Sequence, residues 1–421
     1  MNVKDIYNTI DFDSLPIDEF WNTGDEKENK MHRIHAYPAK FPAFITTKAL
    51  NYANNLGIEV NQVADIFCGC GTTAYETSRN GINFWGCDIN PVATLIASAK
   101  SKKYDILELN SYYSIIVKKQ SEIQIDFDSL NINDRIRYWF KENNIVDLIK
   151  LKQSIELAVP QNSIYRNFFF CAFSNILKPT SMWLTKSIKP QYDGEKKPQE
   201  VMGAFLSQYT FMLNANKENQ LCGSANLNIE NINFLESTRD TPFVDLIVTS
   251  PPYVTSYEYA DLHQLSTLWL GYSEDYKEFR KGSIGSLYHN SDYKNDCAQL
   301  SPVGRDIILE LEKSDKNKAK SAAKYFVDMQ KCVKKSYDIL NEGGLALFVI
   351  GNTEYKGVKI NNAKHLVESM ATCKMSSIDV IRRKISKKIL TPYRDEKGKF
   401  TNDSNSRKVY SEEFIVIGRK G

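Results

Sequence analysis

The chain has 421 residues, of which 42% are hydrophobic and 25% charged, and its formal net charge is +3 at pH 7. This composition is ordinary for a globular protein with a sizeable core, in one large or two ordinary domains. The net charge is too small to establish nucleic-acid binding and does not oppose it. The sequence lacks both the run of roughly 18 apolar residues of a membrane span and the basic start and apolar core of a secretory signal.

The eight cysteines are scattered along the chain, at positions 68, 70, 87, 171, 222, 297, 332 and 373. Cys68 and Cys70 are too close together for a usual zinc knuckle and have no second pair, so no metal site is predicted. Reduced and mostly buried thiols in a cytoplasmic protein are expected.

Residues 1–30 are polar and acidic, and we expect them to form a weakly ordered N-terminal arm or cap. The next segment, residues 31–42, contains two prolines, which favour an extended path over a helix. It is also unusually rich in His, Tyr, Lys and Phe for a loop. A helix is predicted to follow, from about Ala43 to Leu56.

A strand, a glycine-rich turn, a helix and a second strand follow in that order. The first strand covers residues 62–67, the turn is Cys68-Gly-Cys-Gly-Thr-Thr73, and the second strand, residues 84–88, ends in an acid. Such a turn lets the backbone approach a ligand, the helix N-terminus offers N–H groups, and the acid accepts hydrogen bonds from ribose hydroxyls. The spacing is G-x-G-T-T rather than G-x-G-x-x-G, so this unit predicts a nucleoside site and disfavours a pyrophosphate.

Residues 101–230 have a different character, because segments such as 134–157 and 165–177 show the apolar spacing of helices. We expect a helical insertion between the second and third strands. Within it, the segment 178–190 combines three lysines, several hydroxyl groups and Trp183. This segment is either a loop that contacts phosphates and bases or a solvated connector, and the sequence leaves both open.

The stretch Asp245-Leu-Ile-Val-Thr-Ser-Pro-Pro-Tyr253 predicts a short buried strand that two prolines stop. The strand then ends in a stiff corner, because proline lacks a backbone N–H and disfavours helix at the residue before it. The corner presents the Ser250 hydroxyl, two carbonyls and the Tyr253 ring, which suit a flat ligand with an amino group, such as an unstacked adenine or cytosine. An ordinary proline turn is the alternative. Glu236, where a third strand would end, is expected near the same cleft.

After this corner, leucines spaced as on a helix face surround His263, which is either a catalytic base or a packed side chain. Residues 272–320 are charged and contain Gly and Ser, and we expect a mobile, partly ordered excursion. The remaining predicted elements are helices at 320–340 and 363–371 and strands at 345–350, 378–385 and 414–417.

Residues 382–408 form the one clear basic patch of the sequence. Its basic residues are Arg382, Arg383, Lys384, Lys387, Lys388, Arg394, Lys397, Lys399, Arg407 and Lys408, and aromatic residues lie among them. This pattern favours contact with a nucleic-acid backbone, and a solvated hairpin is the alternative.

Four segments resemble those of the amino-group DNA methyltransferases that depend on S-adenosylmethionine. DIFCGCGTT (65–73) is similar to the cofactor loop of that family, and GCDINP (86–91) is similar to the segment that carries its ribose-binding acid. TSPPY (249–253) resembles its catalytic tetrad. HAYPAKFP (35–42) resembles the segment that lies across the methionine end of the cofactor.

The resemblance implies an α/β fold with a doubly wound, mostly parallel seven-stranded methyltransferase-type sheet, an antiparallel last strand and a helical insertion. It assigns residues 31–100 and 231–421 to the catalytic domain. Residues 101–230, the insertion, are matched only loosely and are a candidate DNA-contacting region.

The resemblance also implies S-adenosylmethionine as the cofactor. The residues expected to bind it are Tyr37, Lys40, Phe41, Asp65, Phe67, Cys68, Gly69, Gly71, Thr72, Thr73, Asp88, Ile89, Asn90 and Glu236. The catalytic tetrad would be Ser250, Pro251, Pro252 and Tyr253. In this family Ser at the first position points to cytosine N4 rather than adenine N6, although some adenine enzymes also carry Ser. The order of cofactor segments before tetrad differs from the permuted order common among cytosine-N4 enzymes.

The reaction implied is methyl transfer to the amino nitrogen of a cytosine flipped out of duplex DNA. Ser250 Oγ and the carbonyl of Ser250 or Pro251 would accept hydrogen bonds from the amino group and aim its lone pair at the sulfonium methyl. Tyr253 would stack on the base. A neutral Ser is too weak a base to be the main proton acceptor, so water would take the proton.

Duplex DNA is the expected partner, and a separately encoded restriction endonuclease is a further candidate. The residues expected to contact DNA are Lys186, Lys189, Arg383, Lys387, Arg394, Arg407 and Lys408. Three alternatives stay open: an adenine-N6 DNA methyltransferase, an RNA base methyltransferase, and a catalytically silent DNA-recognition subunit. The silent subunit would have a damaged tetrad or cofactor loop, and both segments are intact in this sequence.

Overall fold

A sheet with helices on both faces forms the centre of the molecule. The computed structural model of the chain describes residues 10–24, 27–38, 40, 42–223, 225–254, 259–284, 292–385, 393–394, 400–401, 403, 407–408 and 411–421. The strands, in chain order, are β1 (Gln62–Asp65), β2 (Asn83–Cys87), β3 (Leu227–Glu230), β4 (Val244–Thr249), β5 (Leu340–Ile350), β6 (Thr353–Tyr355), β7 (Val358–Ile360), β8 (Ser376–Lys384), β9 (Tyr393–Arg394), β10 (Phe400–Thr401), β11 (Arg407–Lys408) and β12 (Glu412–Arg419).

Seven of these strands pair in the order β3-β2-β1-β4-β5-β12-β8. Strands β3, β2, β1, β4 and β5 run parallel to one another, and β12 runs antiparallel to both β5 and β8. The predicted fold class, a doubly wound and mostly parallel seven-stranded sheet with an antiparallel last strand, is confirmed. Residues 246–248 of β4 and the second half of β5 are continuous apolar runs because both of their faces are covered.

The helices are α1 (Phe44–Asn55), α2 (Thr72–Arg79), α3 (Pro91–Lys100), α4 (Ile106–Glu122), α5 (Asp134–Trp139), α6 (Glu142–Ala158), α7 (Ile164–Ile176), α8 (Val201–Lys217), α9 (Tyr259–Leu262), α10 (Gln264–Trp269), α11 (Tyr293–Gln299), α12 (Pro302–Ser314), α13 (Lys316–Ile339) and α14 (Asn362–Thr372). Short 3₁₀ helices lie at Glu19–Trp21, Lys30–Arg33, Phe127–Ser129, Phe234–Glu236 and Tyr276–Arg280. No helix among the described residues is long and apolar enough to cross a membrane.

Each face of the sheet has its own helical layer. Strand residues such as Ile247 and Phe348 pack with α12, α13 and α14, whereas their neighbours Leu246 and Leu347 pack with α1, α2 and α3. Alternate side chains of a strand point to opposite faces, which explains this division. The prediction of a mobile excursion over 272–320 was wrong for α12, because Val303, Ile307, Ile308 and Leu311 are buried against α13.

The insertion between β2 and β3 contains α4 to α8 and has its own apolar core. Phe168, Phe173 and Phe205 lie in this core, which continues onto α3 and α10. The predicted range of 101–230 extends too far, because Leu227–Glu230 forms the edge strand β3 of the sheet. In this four-residue strand Asn228 is exposed and the other three side chains are only partly buried, so it lacks the continuous apolar pattern of the central strands.

The described part of the N-terminal arm, residues 10–24, packs on the free edge of β8. Ile17 forms a parallel bridge with Arg382, and the backbone N–H of Asp18 donates to the Arg382 carbonyl at 2.8 Å. Trp21 is buried at 2% exposure. These residues therefore act as a packed cap, and the expectation of weak order was wrong for them.

Arg383 is not available to DNA, which corrects its assignment as a DNA contact. Its side chain is fully buried, its Nε donates to the Trp21 carbonyl at 2.7 Å, and its guanidinium pairs with Glu413 on β12. Strand β8 alternates its side chains between two faces, and Arg383 is on the covered face beneath the N-terminal arm.

The other residues predicted to contact DNA divide into two groups. Lys186 and Lys189 are exposed in the insertion. In the basic patch, β9, β10 and β11 form a small antiparallel sheet in the order β10-β9-β11. Lys387 and the side chains of Arg394, Arg407 and Lys408 lie outside the described part of the structure.

Replacing Arg383 by Ala should lower the free energy of unfolding by about 3–5 kcal/mol, because it leaves the carboxylate of Glu413 buried without its partner. The measurement is urea denaturation followed by tryptophan fluorescence. Lys384→Ala, at the exposed neighbouring position, is the control and should change stability by less than about 0.5 kcal/mol. Equal stability of the two variants would contradict the buried pairing.

Candidate functional site

The segments singled out in the sequence meet where the strand order of the sheet reverses. Strands β1 and β4 are parallel neighbours, with Val63 opposite Leu246 and Ala64 opposite Ile247. The chain leaves β1 towards β2 on one side and leaves β4 towards β5 on the other. Ligands of open α/β sheets bind in the crevice at the carboxyl ends of such strands.

The loop after β1 contains two glycines whose backbone the site requires. Gly69 and Gly71 have φ angles of +50° and +74°, a region that other residues enter only at a cost. A Cβ on Gly71 would lie 2.7 Å from the Cβ of Ala97, so the absence of a side chain also lets α2 approach α3. A Cβ on Gly69 would face the Tyr37 hydroxyl at 3.5 Å, which puts Tyr37 directly over the loop.

The acid after β2 is held against this loop. Asp88 accepts hydrogen bonds from the backbone N–H of Gly69 at 2.9 Å and of Asn90 at 2.8 Å. Burial raises the pKa of Asp88 to about 6, and these two bonds oppose the rise. Each carboxylate oxygen still has acceptor capacity, so Asp88 can also bind hydroxyl donors.

Asp65 connects the loop to the central strand. Its carboxylate accepts from the hydroxyls of Thr73 at 2.9 Å and Thr249 at 2.7 Å, and from the backbone N–H of Phe67 at 3.1 Å. Asp65 is 1% exposed, and burial raises its pKa to about 6 against the opposing effect of these bonds. Asp65 therefore positions the residues on either side of the crevice.

The remaining predicted cofactor residues of this region lie around the same loop. The backbone N–H of Cys68 donates to the Cys87 carbonyl on β2 at 3.0 Å. Thr72 is buried at the start of α2, and the Asn90 side chain caps α3 through the N–H of Val92 at 3.0 Å. A Cβ on Gly282 would lie 3.2 Å from the side chain of Ile89, so the backbone at Gly282 packs against Ile89.

Ser250 directly follows β4, and its hydroxyl proton is already engaged. Ser250 Oγ donates to the carbonyl of Val349 on β5 at 3.1 Å. A hydroxyl whose proton is held in this way presents its lone pairs to a ligand and acts as an acceptor. The geometry favours a ligand with an N–H donor at this position.

The second proline and the end of the corner are supported by α13. Tyr325 donates its hydroxyl to the Pro252 carbonyl at 2.9 Å, and Lys318 Nζ donates to the Val254 carbonyl at 2.6 Å. The Pro252 carbonyl is thus occupied, while the carbonyls of Ser250 and Pro251 are the other candidate acceptors. The support from α13 was missed in the sequence, because nothing in the spacing of Lys318 and Tyr325 connects them to the corner.

The Tyr253 ring is fixed from two sides. A Cβ on Gly351 would lie 3.4 Å from the ring, so the glycine lets the ring pack against the backbone after β5. The Tyr253 hydroxyl donates to Glu413 Oε2 at 3.4 Å, and Glu413 is held by its pair with Arg383. This arrangement orients a flat surface next to Ser250.

Tyr37 and His263 cover the loop from the opposite side. Their rings stack with centroids 5.1 Å apart. His263 is 4% exposed, and burial together with nearby His35 lowers its pKa to about 3. His263 is therefore a packed neutral side chain, the second of the two readings left open by the sequence.

Lys40 and Phe41, the other two residues of the 31–42 segment that were expected to bind the cofactor, have different outcomes. Lys40 Nζ donates to Glu28 at 2.9 Å and to the His32 carbonyl at 3.1 Å, so its ammonium contacts protein groups. Phe41 lies outside the described residues.

The segment after β3 approaches the site through asparagines rather than through Glu236. Asn231 Nδ2 donates to the Asp88 carbonyl at 2.9 Å, and Asn233 Nδ2 donates to the Gly282 carbonyl at 3.3 Å. Glu236 is exposed on the 3₁₀ helix that follows. The sequence misplaced the acidic residue because β3 ends at Glu230, six residues earlier than the strand end assumed for Glu236. No cluster of metal-ligating side chains occurs in the part of the chain that the structure describes.

The sequence resembles those of curated methyltransferases, although no family model matches it. It is 25% identical over 358 residues to the Type II methyltransferase M.MvaI of Kocuria varians, covering 78% of each chain. It is 23% identical over 315 residues to the Type II methyltransferase M.BsoBI of Geobacillus stearothermophilus, covering 67% of this chain and 61% of the relative. Among solved structures, the rRNA methyltransferase aviRa from Streptomyces viridochromogenes aligns over 91% of this chain and 88% of its own, at 8% identity and a TM-score of 0.30. No conclusion rests on a structural likeness this low.

Replacing Thr249 by Val should lower the free energy of unfolding by about 1–3 kcal/mol, because the buried Asp65 loses one of its donors. The loss should be larger at about pH 7.5 than at about pH 5, since the hydroxyl stabilises the charged carboxylate and burial raises the Asp65 pKa to about 6. Urea denaturation at both pH values measures it.

Thr46→Val is the matched control. Thr46 is also fully buried, and its hydroxyl has no hydrogen-bond partner among the described residues. Its replacement should leave stability nearly unchanged at both pH values. If the Thr249→Val variant is as stable as the control, the connecting role of Asp65 is contradicted.

Proposed function

We propose that the protein is an S-adenosylmethionine-dependent DNA methyltransferase that transfers a methyl group to the exocyclic N4 of cytosine. The observation that carries this proposal is the Ser250 hydroxyl, which follows β4 at the crevice and points its proton at Val349. It leaves an acceptor beside an aromatic ring, as an amino-bearing base requires. The relatives named Type II methyltransferases support the methyltransferase class and DNA as the substrate.

The loop after β1 and the acid after β2 fit the proposed cofactor. The Asp88 carboxylate would accept hydrogen bonds from ribose hydroxyls, and Gly69 would allow a close approach of the backbone. Tyr37, stacked on His263, would cover the ligand from the other side. When bound, the cofactor would supply an electrophilic methyl group on a sulfonium.

The groups around Ser250 explain how a weak nucleophile would react. The lone pair of the cytosine amino nitrogen is delocalised into the ring. Acceptance of its N–H bonds by Ser250 Oγ and by the Ser250 or Pro251 carbonyl would draw the nitrogen towards tetrahedral geometry. These fixed dipoles also stabilise the positive charge that develops on nitrogen. Ser250 is neutral and remains an acceptor throughout, so water would remove the proton.

The substrate base would be flipped from duplex DNA and stacked on Tyr253, whose ring is held by Gly351 and Glu413. Backbone contacts would come from Lys186 and Lys189 in the insertion and from the basic patch with Lys387, Arg394, Arg407 and Lys408. A separately encoded restriction endonuclease would be the second partner in this proposal.

Methyl transfer from labelled S-adenosylmethionine to unmethylated genomic DNA tests the function. The wild type should produce N4-methylcytosine, identified by mass after hydrolysis of the DNA. Ser250→Ala should reduce the rate at least about 100-fold, the loss typical of removing one polar group aligned with a developing charge. Ser121→Ala, an exposed serine on α4, is the control and should be as active as the wild type.

The product decides between the alternatives. N6-methyladenine that disappears in Ser250→Ala would keep the site and overturn the cytosine assignment. Methylation of total tRNA but not of DNA would assign the protein to RNA modification. The absence of methyl transfer to either would leave a recognition subunit.

Binding of S-adenosylmethionine should weaken about tenfold between about pH 7.5 and about pH 5, because protonation of Asp88 removes its charge where burial raises its pKa to about 6. Because the ribose hydroxyls need the Asp88 carboxylate as an acceptor, the affinity is full above the pKa of Asp88 in the folded protein. The affinity is lost as the pH falls through that pKa. Isothermal titration calorimetry measures the affinity. Asp88→Asn should bind more weakly at about pH 7.5 and lose this pH dependence, and an unchanged profile in that variant would contradict the assignment.

A further inference from the structure

The insertion contains a short two-stranded hairpin, residues 182–193, which we call the insertion hairpin. Trp183 bridges Tyr192 in antiparallel fashion, and the backbone N–H of Leu184 donates to the Gln191 carbonyl at 2.8 Å. The N–H of Asp193 closes the base by donating to the Met182 carbonyl at 2.9 Å. The segment is therefore ordered, in contrast to a loose connector.

Two lysines are turned inwards to hold the hairpin. Lys178 Nζ donates to the Ser187 carbonyl at the tip at 2.7 Å. Lys196 Nζ donates to the Trp183 carbonyl at 2.6 Å and to the Lys178 carbonyl at 2.9 Å. Partial burial lowers the pKa of both lysines, that of Lys196 to about 8. These bonds fix the tip before any partner arrives, so little conformational entropy is lost on binding.

The outward side of the hairpin combines positive charge with apolar groups. Lys186 and Lys189 are exposed on either side of Ile188, which is 37% exposed. Tyr192 and Tyr138, in contact with ring centroids 5.1 Å apart, add an exposed aromatic surface at the base. Of the five lysines in residues 178–197, Lys186, Lys189 and Lys197 are exposed, against the two acids Asp193 and Glu195. The positive charge lies mainly at the tip, where Lys186 and Lys189 would face a polyanion.

The base of the hairpin is anchored to the segment that follows the Ser250 corner. Trp183 stacks on Trp139 of α5, with centroids 5.2 Å apart. Trp139 Nε1 donates to Gln264 Oε1 at 3.1 Å, and Arg135 Nε donates to the same oxygen at 2.9 Å. Gln264 is fully buried and directly follows His263, which stacks on Tyr37 over the cofactor loop. The hairpin thus has a fixed position relative to the crevice.

We propose that the insertion hairpin enters the major groove of duplex DNA and determines part of the target sequence. Lys186 and Lys189 bind phosphates, and Ile188 and Tyr192 contact base edges. The thymine methyl group is the apolar group that a base edge offers in the major groove. The major groove admits a two-stranded ribbon, and lysines bind phosphates as point charges. This inference rests on the proposed DNA substrate and adds the element that reads it.

The two contributions make different predictions, so they can be separated. Phosphate contacts change the salt dependence of binding and carry no sequence information, whereas base contacts change the sequence preference and leave the salt dependence alone. The probe is a fluorescent random-sequence duplex, bound by the full chain over a series of salt concentrations.

Lys186→Ala/Lys189→Ala should reduce the slope of log affinity against log salt by about 1.8, which is two phosphate contacts at about 0.9 each. Between about 50 mM and about 200 mM salt, the wild type should therefore lose about tenfold more affinity than the variant. The control is Lys118→Ala/Lys334→Ala, which removes two exposed lysines that pair with Glu122 and Asp338 of their own helices. It should keep the wild-type slope.

Ile188→Ala should keep the wild-type slope and relax the target sequence. The methylated sites in genomic DNA, mapped by sequencing, should show about a tenfold weaker preference at one base position of the target. Leu309→Ala, an exposed apolar residue on α12, is the control and should keep the wild-type sequence preference.

The outcomes separate this inference from the proposed function. Wild-type methylation of DNA, with unchanged slope and unchanged target in the hairpin variants, would overturn the inference and leave the function standing. Failure of the wild type to methylate DNA would overturn the function. The salt slope of the lysine variant still tests the hairpin in that case, and a slope equal to that of the wild type overturns the inference.

Discussion

The site depends on one buried carboxylate. Asp65 accepts from Thr73 at the start of α2 and from Thr249 at the end of β4, and so joins the two segments that leave the sheet at its reversal point. Each segment carries a different part of the chemistry. The glycine loop after β1 is the proposed nucleoside site, and the proline corner after β4 presents the proposed acceptor. Their relative position is set by hydrogen bonds to the same side chain and by the strand pairing beneath it.

The polarity of the site follows from where its hydroxyl protons go. Ser250 gives its proton to Val349, and Tyr253 gives its proton to Glu413. Both protons are directed into the protein, which leaves oxygen lone pairs and an aromatic face towards the crevice. The proposed substrate offers the complement of this surface, because an amino group is a donor and a base has two flat faces. In the proposed reaction, no charged base would be needed beside the reacting nitrogen.

Much of the fold could be predicted from the sequence, because the central strands are continuous apolar runs and the turns after them contain Gly or Pro. The edge strand β3 could not, since Leu227-Asn-Ile-Glu230 is short, has no fully buried residue and lacks that pattern. The loop after β1 and the corner after β4 were found because their residue types dictate local geometry. Arg383 was misassigned because charge density along the chain does not reveal which residues of a strand face inwards. The partners of Asp65 and Tyr253 come from distant parts of the chain, and spacing carries no information about such contacts.

The position of the N-terminal arm has a consequence for how copies of this chain meet one another. Strand β8 is the last strand of the sheet, and its outer edge would otherwise present unpaired N–H and C=O groups. Such an edge is a template for pairing with another sheet and for aggregation. Ile17 and Asp18 occupy part of it with backbone hydrogen bonds of their own. The arm thus protects the sheet against edge-to-edge association. A chain shortened to begin after Trp21 would expose the unpaired backbone groups of β8 and would uncover Arg383.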